Sequence, residues 1–293
     1  MERPAEMTWF KYPGKGHILR YARLALDGTR EGLIEGLLPA LPEYCDPGGA
    51  VRLGAIALLT DYAAGMLAMQ TVRPDWTVTH DMALHLTGLA KAMPGPDGGA
   101  EGAGELEGYT RLVRAGRNNV VSETSVVTPG GEEVARGYVT FTRLPRRDDT
   151  PRPAGDLRIN LIEPEDGPRA PLDQAVGFRF SAPDNEGPHP GRHWVEFDHV
   201  PFIYNSLGAI QGGAVTLSLE RGASWAGERE LGRPCRTTDL HLHYLALGKT
   251  GPFQVRAEVL RKAAHEVVSR LALVDTGDED RLLALGIGTA EPI

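Results

Sequence analysis

The stretch LGAIALLTDYAAGMLAM, Leu53 to Met69, holds a single carboxylate, Asp61, among apolar and small residues. Burying a lone carboxylate costs several kcal/mol unless it is paired or hydrogen-bonded, so its presence there needs a reason. Gly54 precedes Asp61 by seven residues, and Gly213 precedes Glu220 by the same step. Seven residues are two helical turns, which places each glycine and its acid on one helix face, about 10 Å apart. A glycine at a helix start lets a ligand carbonyl approach unpaired backbone N–H groups, where the helix dipole also favours developing negative charge. The pattern outlines an oxyanion site with an acid two turns away. A purely structural reading of each residue stands beside it: an acid satisfied by a nearby threonine or backbone N–H, a glycine placed for close packing, and Asn205 as a turn or cap residue.

The elements that must position these residues occur twice. Asp46 to Asp61, DPGGAVRLGAIALLTD, aligns with Asn205 to Glu220, NSLGAIQGGAVTLSLE, with Gly49 on Gly208, Gly54 on Gly213 and an acid closing each. Downstream, Thr79 to Leu86 (THDMALHL) matches Thr237 to Tyr244 (TTDLHLHY). Leu112-Val113-Arg114 followed by Val120-Val121-Ser122 matches Val259-Leu260-Arg261 followed by Val267-Val268-Ser269. Three matches in one order imply a duplicated unit. Each copy reads as a glycine-led helix of about four turns followed by extended, β-branched segments. The first copy's strands are expected near 77–86, 104–114, 118–127 and 133–143, and the second's near 235–245, 253–261, 266–274 and 281–288, so nearly all of each sheet follows its helix. The Pro- and charge-rich stretch 144–171 reads as a connection, giving domains at 1–148 and 172–293 with a linker at 149–171. Segments 97–104 and 181–191 read as surface loops.

One helix and one antiparallel sheet per unit have a simple packing solution, in which the sheet curls around an apolar helix. The expected class is therefore α+β, a tandem or double hotdog, with the two units meeting as the subunits of a two-fold dimer do. Composition narrows the function. The 36 Gly and 22 Pro in 293 residues favour turns and strands over long helical bundles, and the net charge of −8 argues against nucleic acid as a partner. Cys45 and Cys235 are the only cysteines and form no CxxC pair, so neither a disulfide framework nor a thiolate zinc site is expected. Residues 1–12 lack the apolar core of a secretion signal and 53–69 reads as a buried helix rather than a membrane span, so a cytoplasmic location with no membrane partner is expected.

The run Asn205-x-x-Gly208-x-x-Gln211-Gly212-Gly213-x6-Glu220 resembles the signature N-x-x-G-x-x-H-G-G-x6-D/E of hotdog acyl-CoA thioesterases, in particular the PaaI-like and 4-hydroxybenzoyl-CoA thioesterase groups, with Gln211 in place of the usual His. The first copy departs further: Asp46 stands for the Asn, Arg52 for the His and Leu53 for the first of the paired glycines. The resemblance spans about residues 15–290. It implies hydrolysis of an acyl-CoA thioester, with no cofactor beyond the coenzyme A of the substrate, at sites shared between the two units. Site one would join Asn205, Gln211 and Gly213 to Asp61 and Thr79. Site two would join Asp46, Arg52 and Gly54 to Glu220 and to Thr237 or Thr238. The sites are unequal: Asn205 and Gln211 can donate hydrogen bonds to a thioester carbonyl, whereas an ionised Asp46 can only accept and would face Glu220 as a like charge unless Arg52 compensates. Site one is therefore the expected active site, with Asp61 attacking directly or deprotonating water and Thr79 orienting it.

Arg111, Arg114 and Arg117, with Arg261 and Lys262 at the corresponding place in the second copy, are candidates to hold the phosphates of coenzyme A. His241-x-His243 places two imidazoles on one strand face, but the sequence shows no third ligand, so these and His80 and His85 read as hydrogen-bonded strand histidines and no metal is expected. Two other functions compete. A MaoC-type enoyl-CoA hydratase would use an Asp and a His about five residues apart, as Asp184 and His189 are, though no apolar helix follows them. A non-catalytic acyl-CoA or lipid-binding module would keep the tunnel and use the acids structurally. Pairing of two chains into a homodimer extends the expected assembly.

Overall fold

The computed structural model describes residues 12–92, 104–146, 157–162, 169–181 and 192–293. A one-turn helix α1 (Ile18–Tyr21) leads into β1 (Ala25–Asp27) and β2 (Leu33–Pro39), then the long α2 (Leu53–Val72). Four strands follow: β3 (Trp76–Leu86), β4 (Glu105–Ala115), β5 (Asn119–Val127) and β6 (Glu133–Leu144). After β7 (Arg158–Asn160) and the short α3 (Leu172–Val176), the second half repeats the plan with β8 (Arg179–Ser181), β9 (Arg192–Phe197), α4 (Gly212–Leu231), β10 (Cys235–Tyr244), β11 (Phe253–Lys262), β12 (Val267–Asp275) and β13 (Arg281–Pro292).

All strands join one antiparallel sheet in the order β7-β1-β2-β4-β5-β6-β3-β10-β13-β12-β11-β9-β8. Apart from the extra edge strand β7, the order is palindromic about the β3–β10 seam, as two copies related by a pseudo-two-fold require. Register at the seam obeys the same symmetry, with His85 opposite Asp239 and Asp81 opposite His243. Even the irregularities repeat: β3 bulges between Thr79 and Asp81 and β10 between Thr237 and Asp239, while β4 and β11 bulge at Leu112/Arg114 and Val259/Arg261.

The helices supply the core. α2 contacts β2 through β6, and α4 contacts β9 through β13, so each half-sheet surrounds its own helix. α2 is apolar on nearly every side because the sheet and α4 bury most of it, from Leu53 to Val72; the partly buried face carrying Tyr62, Met66 and Met69 is the exception. Among the described residues it alone is long and apolar enough to cross a membrane, and the fold buries most of it. Each helix has 20 residues, about five and a half turns rather than four.

Seven of the eight strands expected from the sequence form within one or two residues of their expected limits, and the eighth, β13, runs four residues beyond the expected 288, to Pro292. The expectation that the sheet lies almost wholly downstream of its helix is corrected: β1 and β2 precede α2, and β8 and β9 precede α4. Within the stretch read as a connection, Arg158–Asn160 pairs with β1 and closes that edge. The Asp184–His189 pair and most of the two loops at 97–104 and 181–191 lie outside the described residues.

Candidate active site

Each long helix starts from the same turn. In one half Asn205 Oδ1 accepts from the backbone N–H of Leu207 (2.8 Å) and Ala209 (3.0 Å); in the other Asp46 Oδ1 accepts from Gly48 (2.8 Å) and Ala50 (3.2 Å). Gly49 and Gly208, at φ 79° and 69°, take the left-handed conformation that closes each turn. The turn delivers Gln211 to the N-cap of α4, where its Oε1 accepts from Ala214 N–H at 2.8 Å. With the carbonyl end fixed on the helix, the amide Nε2 is directed at α2, and it donates to Asp61 Oδ2 at 2.6 Å.

Asp61 therefore meets the other half of the molecule through Gln211. Its second oxygen accepts from Thr79 Oγ1 at 2.9 Å, a side chain aimed by the β3 bulge. The carboxyl is 5% exposed. Burial raises its pKa from 3.8 to about 6, against the opposing effects of the Thr79 hydroxyl and the Gly213 backbone N–H. Gly212 makes room for this cluster: a Cβ there would stand 2.5 Å from Asp61 Oδ1 and 2.6 Å from Thr79 Oγ1. Gly213 has a different neighbour, because its Cβ would fall 2.9 Å from Leu58 Cα and 3.1 Å from Ala57 O. It is the point where α4 crosses α2, and Gly54 pressed against Leu217 is its pseudo-symmetric counterpart.

A cavity of about 1030 Å³ opens onto this cluster. Asp61, Thr79, Asn205, Gln211 and Gly212 form its polar wall, and Met66, Met69, Phe141, Val215 and Leu247 are among its apolar lining. Three tyrosines missed by the sequence reading border it. Tyr244 donates to Gly212 O at 3.2 Å and shares a short hydrogen bond with Thr216. Burial, then the Asp61 charge, holds its phenol well above the usual range; burial, Tyr62 and Asp61 do the same for Tyr12. The inward alternation Leu240, Leu242, Tyr244 was the available signal for one of them.

Asn205 also lines the cavity, but both its amide ends serve its own turn, with Nδ2 directed to Ile210 O at 3.4 Å, and Gln211 is the amide that reaches Asp61. An Asx turn consumes the acceptor that would otherwise free the side chain to point across the interface.

The pseudo-symmetric position is closed by ion pairs. Arg52 Nη2 lies 3.1 Å from Glu220 and Arg52 Nη1 2.8 Å from Asp173; Arg221 continues the chain to Asp173 (2.7 Å) and Glu228 (3.3 Å). Ser224 Oγ donates to Glu220 Oε1 at 3.0 Å. Burial raises the Glu220 pKa, opposed by Arg52 and Arg221. The expected like-charge contact between Asp46 and Glu220 does not form, since Arg52 occupies Glu220 and Asp46 faces Arg236 at 3.1 Å. Thr237 donates to the Glu220 backbone carbonyl at 2.9 Å, whereas Thr238 is directed away towards Glu291 (3.4 Å). Leu53, at the Gly212 position, helps line the smaller cavity of about 290 Å³ beside Glu220.

The cations expected to hold phosphates do not line the larger cavity. Arg111, Arg114 and Arg117 are exposed around the β4–β5 hairpin, Arg261 pairs with Glu266 and Lys262 with Glu230 (3.1 Å). They share a place in the repeat, but that place is the hairpin end away from the helix starts. Lys15, Arg20, Arg73 and Arg158 line the cavity instead.

No family model matches the sequence, and a comparison with curated proteins gives no match. Solved structures do resemble it. A provisionally designated oleoyl thioesterase from Lactobacillus plantarum superposes with a TM-score of 0.59 at 12% identity, covering 91% of this chain and 98% of its own. Acyl-CoA thioesterase II TesB2 from Mycobacterium marinum gives 0.55 at 13% identity, covering 91% and 94%. A hotdog-fold protein of unknown function from Alicyclobacillus acidocaldarius gives 0.56 at 13% identity, with the same coverage. At such identities the likeness speaks to architecture: this chain has the fold of hotdog thioesterases across most of its length.

Proposed function

We propose that the chain is a tandem, double-hotdog thioester hydrolase, with domains near 1–148 and 172–293, that cleaves an acyl-CoA to the free acid and coenzyme A at one composite site. The observation that carries this is the Asp61 carboxylate of α2 held by Gln211 Nε2 at 2.6 Å and Thr79 Oγ1 at 2.9 Å, at the N-terminus of α4 and on the wall of a large, mainly apolar cavity. The similar structures named as thioesterases support the same chemistry.

In this mechanism the acyl chain occupies the apolar cavity and the thioester carbonyl approaches the start of α4. Gln211 has a second amide hydrogen to offer, and the Gly213 N–H lies at the positive end of the helix dipole; both stabilise the oxyanion as it forms. Asp61, ionised above about pH 6, attacks the carbonyl or removes a proton from the attacking water, with Thr79 orienting the carboxylate; the tetrahedral adduct then collapses with cleavage of the C–S bond and loss of the coenzyme A thiolate, and on the direct route water cleaves the resulting acyl–Asp61 anhydride. Lys15, Arg20 and Arg73 at the cavity wall are better placed for the phosphates of coenzyme A than the hairpin cations. The test is incubation of the full chain with saturated, unsaturated and aromatic acyl-CoAs in the presence of a thiol reagent. Release of free thiol is expected. Hydration of an enoyl-CoA without thiol release, or binding without turnover, would replace this reading with the hydratase or the binding module.

A further inference from the structure

On the outer face of the sheet, opposite the helices, the seam between β3 and β10 brings Asp81 to two histidines, His241 and His243, that lie far from it in the sequence. His241 and His243 alternate on β10 with the buried Leu240 and Leu242 and the partly buried Tyr244, so both imidazoles face outward. Asp81 lies directly opposite His243 in the register. His243 Nδ1 is 2.9 Å and His241 Nε2 3.6 Å from the same Asp81 oxygen, Oδ2. The three ligand atoms all lie within 4.8 Å of one another. The missing third ligand of the His-x-His pair is thus supplied from the other half of the chain.

We propose that Asp81, His241 and His243 form a binding site for a divalent transition-metal ion of the zinc type. Two imidazoles and one carboxylate are a donor set suited to such ions. Ligands bonded at about 2.1 Å around one ion stand roughly 3.0–3.4 Å apart, so the spacing here needs only small side-chain rotations to admit it. The side chains of His241 and His243 are 58% and 49% exposed, which leaves an entry path and room for water to complete the coordination. Both β-strands are held by ladder pairing on either side, so the ligands are carried on rigid elements. An ion there would tie β3 to β10, the strand pair that makes one sheet of two halves.

The pseudo-two-fold provides a built-in control. The related pair, His85 with Asp239, is hydrogen-bonded across the same seam, but Ala83 stands where His241 would be. Among the described residues, only one side of the axis has a third ligand.

Tag-free full-length protein, stripped with a chelator, would be titrated with Zn²⁺ by calorimetry and with Co²⁺ by visible absorption. One ion per chain is expected, with a Co²⁺ spectrum shifted from that of the aqueous ion. His241→Ala should weaken Zn²⁺ binding at least tenfold, His243→Gln likewise, and His85→Ala should leave it unchanged. Zn²⁺ should raise the melting temperature of the wild type and not that of His241→Ala. Either the absence of binding, or binding that persists in both the His241→Ala and the His243→Gln variant, would overturn the site and leave an ordinary histidine–aspartate contact. These exposed positions touch no core packing, and His243→Gln stands as an independent variant if His241→Ala is poorly folded.

Discussion

At the scale of single residues, Asp61 is costly to keep. Its pKa is raised from 3.8 to about 6 by burial, so above pH 6 the folded chain holds a charge that the unfolded chain would hold more cheaply. Below about pH 3.8 the group is neutral in both states and the penalty vanishes; it grows as pH rises towards 6 and is then constant. Asp61→Asn should accordingly stabilise the protein at pH 8 by about 1–3 kcal/mol in urea unfolding, with the gain fading below pH 4. A loss of stability at pH 8 would mean that the Gln211 and Thr79 hydrogen bonds outweigh desolvation. The same shift sets the activity profile: thioester hydrolysis should fall about tenfold per pH unit below pH 6, because only the ionised carboxylate attacks or accepts a proton. Much of this was legible in the sequence, since an isolated acid in an apolar helix admits few explanations. The choice of Gln211 over Asn205 was not. It depends on which amide the turn consumes, and both residues sit in the same short run.

At the scale of elements, the paired glycines at the start of α4 divide the work. Gly212→Ala would drive a Cβ against Asp61 and Thr79, and should abolish turnover while leaving the melting temperature nearly unchanged; an active variant would remove Gly212 from the site. Gly213→Ala meets the backbone of α2 and should instead destabilise the whole fold by about 1–3 kcal/mol. In the first copy Arg52 marks the opposite fate. Arg52→Met would strand Glu220 among buried groups and should cost about 3–5 kcal/mol, and adding Glu220→Leu should recover much of that in a double-mutant cycle. The strands after each helix were readable from alternation because they are long and half-buried. β7 and β8 were not, since three residues carry too little periodicity to distinguish an edge strand from a loop.

At the scale of the molecule, duplication explains how one candidate site arises from two copies. The pseudo-two-fold gives both copies the same turn, bulge and helix crossing, which is why the repeat was visible in the sequence. Chemistry then diverges at three matched positions: Asn205, Gln211 and Gly212 in one copy, Asp46, Arg52 and Leu53 in the other. One composite pocket keeps an acid beside amide donors and open space; the other neutralises its acid with arginine. The tight α2–α4 contact and the continuous seam also predict that the halves unfold together, as a single calorimetric transition; two separate transitions would show the halves to be independent.

The central claim is that Asp61, and not its symmetry mate, performs the chemistry. The direct measurement is the steady-state release of coenzyme A from the best acyl-CoA substrate by wild type, Asp61→Asn and Glu220→Gln, each verified as folded. Asp61→Asn should lower kcat by at least about a thousandfold, and Glu220→Gln should stay within a few-fold of wild type. Equal losses in the two variants, or none in Asp61→Asn, would contradict it.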